Sequence, residues 1–147
     1  MKDNITENLS LNQQQYMETI FSLCAAHEHA HVKSIAERLN ISMPSVTEAL
    51  QGLAKMGLIN YKARQAVTMT ERGLKIGKEL HIRHKVFADF FNDILGLKPE
   101  HSENMACNIE HVIDDKVRER LSDFILFLRE PGNICADSIA DFKDRYK

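Results

Sequence analysis

A chain of 147 residues, 44% hydrophobic and 27% charged, is long enough for one domain or two small ones and too apolar to be disordered. No apolar run approaches the roughly 18 residues of a membrane span, and the polar start "MKDNITENLSLNQQQ" has no signal-peptide core, so a cytoplasmic protein without a membrane partner is expected. The three cysteines (24, 107, 135) then read as reduced thiols, and their odd number argues against a disulfide framework.

The net charge of −2 hides an asymmetry. Residues 53–85 carry eight Lys or Arg against Glu71 and Glu79, whereas residues 86–147 carry eight bases against thirteen acids. A basic segment beside an acidic one fits a nucleic-acid-facing half and a separate half.

In chain order, Leu11, Tyr16, Ile20 and Leu23 recur near helical spacing over 11–26, which predicts a first amphipathic helix. "HEHAH" (27–31) reads as a short polar connection, and its histidines as loop surface. Val32, Ile35, Ala36 and Leu39 make the face of a second helix, broken at Asn40 and Ile41. Ser42 is a good N-cap, because its hydroxyl accepts from an orphan backbone N–H, and Pro44 suits the first turn. Val46, Ala49, Leu50 and Leu53 form the buried stripe of the third helix, which Gly57 can end in the left-handed conformation. Helix, tight turn and second helix make a helix-turn-helix. Leu58, Ile59 and Tyr61 before "KARQ", and Val67, Thr68 and Met69 after it, predict two short strands and a basic turn. The whole is a winged helix-turn-helix, mainly α with a small β-hairpin wing.

Thr70 then caps a long helix that Gly96 ends. Its second half carries Val86, Phe87, Phe90, Phe91, Ile94 and Leu95. "LKPEHSE" turns into the helix holding "ENMACNIEHVI", and Asp114 caps "DKVRERLSDFILFLRE", whose Val117, Leu121, Phe124, Ile125 and Leu128 are expected to face inward. Pro131 and Gly132 stop that helix, and a short further helix is expected in the tail. Cys24 reads as core.

"ENMACNIEHVI" places a thiol, carboxylates and an imidazole together. At about 100° per residue, Glu110 lies near −60°, His111 near +40° and Glu103 near −40° from Cys107. Donors converging within roughly 100° can hold a divalent transition metal. His84, with His81 on nearly the same side, lies on the preceding helix, and Glu18 with Gln15 one turn earlier lies on the first.

The helix-turn-helix "VKSIAERLNISMPSVTEALQGLAKMGLI", the join "GLKIGKELHIRHKVFADFF" and the run "CNIEHVIDDKVRERL" together resemble the DtxR/MntR family of metal-dependent, dimeric transcriptional repressors. The resemblance covers residues 11 to about 128 and fits the short form, without an SH3-like third domain. It implies a DNA-binding domain over 1–72 and an all-helical metal-binding and dimerisation domain over 73–147. It implies Glu110 and His111 as the Glu-His ligand pair, and Cys107 at a ligand position that is cysteine in iron-responsive and glutamate in manganese-responsive members. It also implies His84 as the histidine ligand and Glu18 as a first-helix carboxylate ligand. Gln15 departs from the usual Asp or Met of its ligand position. Ala88 stands where many members carry a glutamate ligand. Glu103 falls where some iron-type members have histidine, and can substitute as an oxygen donor.

The mixed donor set and the resemblance favour Fe(II), with Mn(II) second and Zn(II), Co(II) or Ni(II) binding in vitro. The implied mechanism is a tether: metal held by ligands from both halves restricts their motion and favours the DNA-competent homodimer. Ser42, Pro44, Ser45, Thr47, Glu48 and Gln51 lie off the buried stripe of the third helix and are the expected DNA contacts, with Lys62 and Arg64 of the wing on phosphates. Phe87, Phe90, Phe91 and Ile94 are assigned to the dimer surface, with a monomeric core as the alternative. The alternative is a winged-helix regulator sensing a small organic ligand or redox state. An enzyme is not expected, because no acid–base constellation or phosphate-binding Gly loop accompanies the donors.

Overall fold

Ser10 opens the chain's first helix with a capping box. Its hydroxyl accepts from the Gln13 N–H at 3.2 Å, and the Gln13 side-chain oxygen accepts from the Ser10 N–H at 2.9 Å. The computed structural model describes residues 9–110, 112–130, 132–133 and 135–146. It divides into two units, Met1–His81 and Ile82–Lys147.

The first unit holds α1 (Leu11–His27), α2 (Val32–Leu39), α3 (Met43–Lys55), β1 (Ile59–Asn60), β2 (Thr68–Met69) and the start of α4 (Glu71–Asp89). Asn40 ends α2 in the left-handed region, at φ 54°. The Ser42 hydroxyl accepts from the Ser45 N–H, and Pro44 sits in the first turn of α3. Gly57 follows α3 at φ 70°. These breaks match the sequence signals, and they bring one apolar stripe from each helix into a single core. Met17, Ile20, Ile35, Val46, Leu50, Leu53, Leu58, Val67 and Ile76 are all fully buried there. Each large aliphatic side chain so buried gains about 1.5–3 kcal/mol.

β1 and β2 pair antiparallel, Ile59 with Met69 and Asn60 with Thr68. The connecting turn has no Asn-Gly signal. Arg64 takes the left-handed region instead, at φ 67°, and the Gln65 N–H closes the turn on the Lys62 carbonyl at 3.0 Å. "HEHAH" does more than connect: Ala30 exchanges two backbone hydrogen bonds with Val67, at 2.9 and 2.7 Å. That pairing spans 37 residues, so local periodicity carries no sign of it.

The end of α3 is tied to the start of α4. Thr70 caps α4, accepting from the Gly73 N–H at 3.0 Å. Its hydroxyl also donates to the Gly57 carbonyl at 2.8 Å, with the Leu58 carbonyl at 3.0 Å. Arg72 donates to the Met56 carbonyl at 3.1 Å. Gly73 packs on the Leu58 backbone so closely that a Cβ there would lie 1.9 Å from the Leu58 oxygen.

The second unit continues α4, which passes at Phe90–Ile94 into a π-helical turn. The Leu95 N–H reaches the Phe90 carbonyl at 3.1 Å, and Gly96 ends the turn at φ 72°. Then come α5 (Pro99–Ile109), α6 (Asp115–Leu128), capped by Asp114, and α7 (Cys135–Arg145). Its small core joins Phe87, Ala88 and Ala106, with Phe91, Ile109, Ile113 and Leu121 packed on it.

Two sequence readings change here. Ile76 and Leu80, which follow the expected 72/73 boundary, pack in the first unit's core. Phe87 was assigned to a dimer surface and is only 1% exposed, because Ala88 and Ala106 close over it within the chain. Val117 and Phe124 were expected inside and are 49% and 48% exposed. Ile125 and Leu128 do face inward.

Gly73→Ala drives a methyl into fixed backbone. Urea denaturation is expected to show a loss of about 3 kcal/mol; a loss under about 0.5 kcal/mol would mean that the close approach is not needed.

Candidate metal centre

In the second unit, α5 is built to present one stripe of donors. Pro99 starts it, and the Ser102 hydroxyl, buried, donates to the Lys98 carbonyl at 3.1 Å. Glu103, Cys107 and Glu110 follow at i, i+4 and i+7, one face of a helix. Glu110 closes α5 in right-handed geometry, its N–H on the Ala106 carbonyl at 3.0 Å.

His84 of α4 meets both ends of that stripe. Its Nε2 lies 2.6 Å from Glu103 Oε2, and its Nδ1 lies 3.2 Å from Glu110 Oε2. The His84 side chain is 13% exposed and that of Glu110 is 3% exposed. Cys107 is half-buried and falls between the two carboxylates in sequence, on the same face.

The donors fit a metal ion. Imidazole nitrogen and carboxylate oxygen suit first-row divalent ions, and the thiol position adds a softer donor. Two donors on one ion, each bonded at about 2.1 Å, sit roughly 3.0–3.5 Å apart. The 3.2 Å between His84 Nδ1 and Glu110 is in that range. A carboxylate buried this deeply also calls for a cation at its oxygens.

The remaining expected ligands are placed as follows. Glu18 and Gln15 lie on α1 in the first unit, one turn apart and both half-buried. His111 lies outside the described residues. Ala88, at a position that the resemblance associates with a glutamate, is a core residue packed with Phe87 and Ala106. His81 points elsewhere than His84: its ring lies 5.6 Å from that of Phe21, within the first unit. Cys24 is held in core surroundings, and burial raises its thiol pKa.

The expected DNA contacts share the outer face of α3. Ser42, Pro44, Ser45, Glu48 and Gln51 are exposed, opposite buried Val46, Leu50 and Leu53. Thr47 is half-buried and its hydroxyl donates to the Met43 carbonyl at 3.0 Å. Lys62 and Arg64 are exposed on the wing turn. Sequence reasoning counted Arg72 only as charge and missed its bond to the end of α3. No local signal separates such a guanidinium from a solvated one. Phe90, Phe91 and Ile94 are half-buried on the π-helical turn, with the two phenyl rings 5.7 Å apart.

Among the described residues no helix is long and apolar enough to cross a membrane. Residues 8–67 match the family profile described as iron dependent repressor, N-terminal DNA binding domain. Residues 70–133 match that of the iron dependent repressor metal binding and dimerisation domain. An uncharacterised HTH-type transcriptional regulator of Methanocaldococcus jannaschii is 30% identical over 119 residues, covering 80% of this chain and 94% of that protein. The HTH-type transcriptional regulator MntR of Shouchella clausii is 32% identical over 119 residues, covering 81% and 82%. A manganese-dependent transcriptional repressor solved in complex with manganese superposes with a TM-score of 0.69 at 25% identity. That match covers 78% of this chain and 53% of the solved one, so the chain spans about half that protein's length. The two profiles follow one another across the same winged helix and donor-bearing helices described above, and the chain belongs to the DtxR/MntR family of iron-dependent repressors, which are metal-dependent, DNA-binding transcriptional regulators and not enzymes.

Proposed function

We propose that this chain, as a homodimer in the cytoplasm, binds palindromic operator DNA when loaded with Fe(II) or Mn(II), and so represses genes of metal uptake or homeostasis. The observation that carries the proposal is the buried Glu110 carboxylate 3.2 Å from His84 Nδ1. His84, Glu110 and Cys107 form the proposed core of the ligand set. The family resemblance extends the set to His111, Glu18 and Gln15.

The choice of ion rests on the donors. Carboxylate oxygens suit Mn(II) and Fe(II) alike, and the relative named MntR and the manganese-bound repressor point toward manganese. The thiol of Cys107 is the softer donor and favours Fe(II) over Mn(II). When bound, the ion supplies a fixed positive charge with set ligand directions. Holding it requires Cys107 as thiolate and the imidazoles with a free lone pair, so the residues give up protons as they take up metal.

Metal strengthens DNA binding only by the ratio of its affinities for the DNA-competent and incompetent states. In the competent dimer, the outer faces of two α3 helices enter successive major grooves about 34 Å apart. Gln51 is suited to adenine and Pro44 to a thymine methyl, while Ser42, Ser45, Thr47 and Glu48 line the same approach. Lys62 and Arg64 meet phosphates. Phe90, Phe91 and Ile94 supply the apolar contact between copies.

Anaerobic fluorescence anisotropy on a palindromic promoter fragment, first with chelator and then with Fe(II), Mn(II) or Zn(II), tests the reading. Operator affinity is expected to rise at least tenfold with the preferred ion and to fall again as pH drops below about 6. Glu110→Ala and His111→Ala are expected to lose that gain while remaining folded dimers; full stimulation in both would overturn the ligand set. Arg64→Ala is expected to weaken operator and nonspecific binding alike and to lower the salt slope by about 1. A change confined to one operator sequence would instead make Arg64 a base reader.

A further inference from the structure

We propose that Glu103 is not a ligand of the metal but the group that positions His84, fixing its tautomer so that Nδ1 is offered to the ion beside Glu110. This rests on the metal centre proposed above.

The two contacts of the His84 ring differ in kind. The 2.6 Å from Nε2 to Glu103 Oε2 is direct hydrogen-bond contact, at the short limit for nitrogen and oxygen. It is shorter than the roughly 3.0–3.5 Å between two donors bonded to a common ion at about 2.1 Å. The 3.2 Å from Nδ1 to Glu110 Oε2 falls within that range. The Nε2–H therefore donates to Glu103, and Nδ1, the nitrogen that faces the buried carboxylate, is the one available to an ion beside Glu110.

Ring geometry reinforces the division. An imidazole gives one nitrogen to one ion, and its two nitrogens direct their bonds to different sides. A carboxylate seated on Nε2 is on the wrong side of the ring to reach an ion at Nδ1. Burial points the same way. The Glu110 side chain is 3% exposed, and that of Glu103 is 63% exposed. The buried carboxylate is the one placed to meet an ion inside the site, and the exposed one can hold the ring from the solvent side.

Such an outer partner raises the basicity of the ligand and fixes its direction, and losing it typically costs about 10–100-fold in metal affinity without removing a donor. Glutamine at 103 keeps an oxygen that can accept from Nε2–H. Alanine keeps nothing.

The test is an anaerobic Co(II) titration of the full chain, read in the visible spectrum, for the wild type, Glu103→Gln, Glu103→Ala and Glu110→Gln. Glu103→Ala is expected to weaken Co(II) binding about 10–100-fold and Glu103→Gln clearly less, both with wild-type band positions and intensities. Glu110→Gln is expected to shift the bands. In the metal-free protein, ¹⁵N shifts of the His84 ring should report protonated Nε2 in the wild type and in Glu103→Gln, and mixed tautomers in Glu103→Ala. Bands that move in the Glu103 variants as they do in Glu110→Gln would make Glu103 a ligand and overturn the proposal. So would unchanged affinity in Glu103→Ala. A wild type that takes up no Co(II) would instead refute the metal centre, and the role assigned to Glu103 would fall with it.

Discussion

A carboxylate side chain that is 3% exposed sets the terms for the second unit. Taking Glu110 out of water costs several kcal/mol unless its oxygens meet a cation or donors. The response is visible in how α4 and α5 meet. His84 is followed at i+3 and i+4 by Phe87 and Ala88, so the imidazole and the apolar seam share one face of α4. Ala88 packs against that seam with Ala106 of α5. Beside that seam His84 lies within 3.2 Å of Glu110. The apolar seam thus adjoins the polar pair. It also gives Ala88 a structural reason: at 7% exposure, a glutamate there would add a second buried charge to a seam whose packing the first depends on.

The first unit uses its backbone in a comparable way. Its reading helix is held from below by Val46, Leu50 and Leu53, which leaves the polar side of α3 facing outward. Its C-terminal end is held by Thr70 and Arg72, which donate to the carbonyls of Gly57 and Met56. The last carbonyls of a helix have no partner within it. Here the carbonyls of Met56 and Gly57, at and just past the end of α3, receive donors from Arg72 and Thr70, and Gly73 keeps the two backbones in contact. The end of α3 and the start of α4 are thus fixed to each other by side-chain hydrogen bonds.

Much of this was legible in the sequence, because helix ends carry local chemistry. Ser42, Gly57, Thr70, Gly96 and Asp114 each mark the break their residue type predicts. What escaped has a common cause, dependence on a partner far along the chain. The Ala30–Val67 pairing is one case. Phe87 is another: a helical wheel groups it with Phe90 and Phe91, and only packing on Ala106 shows that it is interior. The π-helical turn at Phe90–Ile94 was invisible for a different reason. One wider turn at the end of a long apolar stripe changes the hydrogen-bond partner from i−4 to i−5 while barely altering the spacing of apolar residues. At the candidate metal centre, angles about α5 put Glu103, Cys107 and Glu110 on one face, and His84 meets Glu103 and Glu110 there. Angles alone do not say which ring nitrogen each carboxylate meets, and that detail separates a ligand from a positioning group.

That separation bears on selectivity. Along the first-row series, raw affinity for nitrogen, oxygen and sulfur donors rises toward copper and stays high at zinc, so a site that only binds tightly answers to the wrong ion. A regulator reports something else, the difference in affinity between its DNA-competent and incompetent states. An ion held equally well in both changes nothing, however tightly it is bound. Discrimination therefore depends on donors whose directions are fixed before the ion arrives, since a fixed direction penalises an ion of the wrong geometry. On the proposal made above, His84 is such a donor: its ring meets Glu103, which is exposed, and Glu110, which is buried. On this argument the ion to which the chain responds is set as much by the rigidity of one imidazole as by the softness of Cys107.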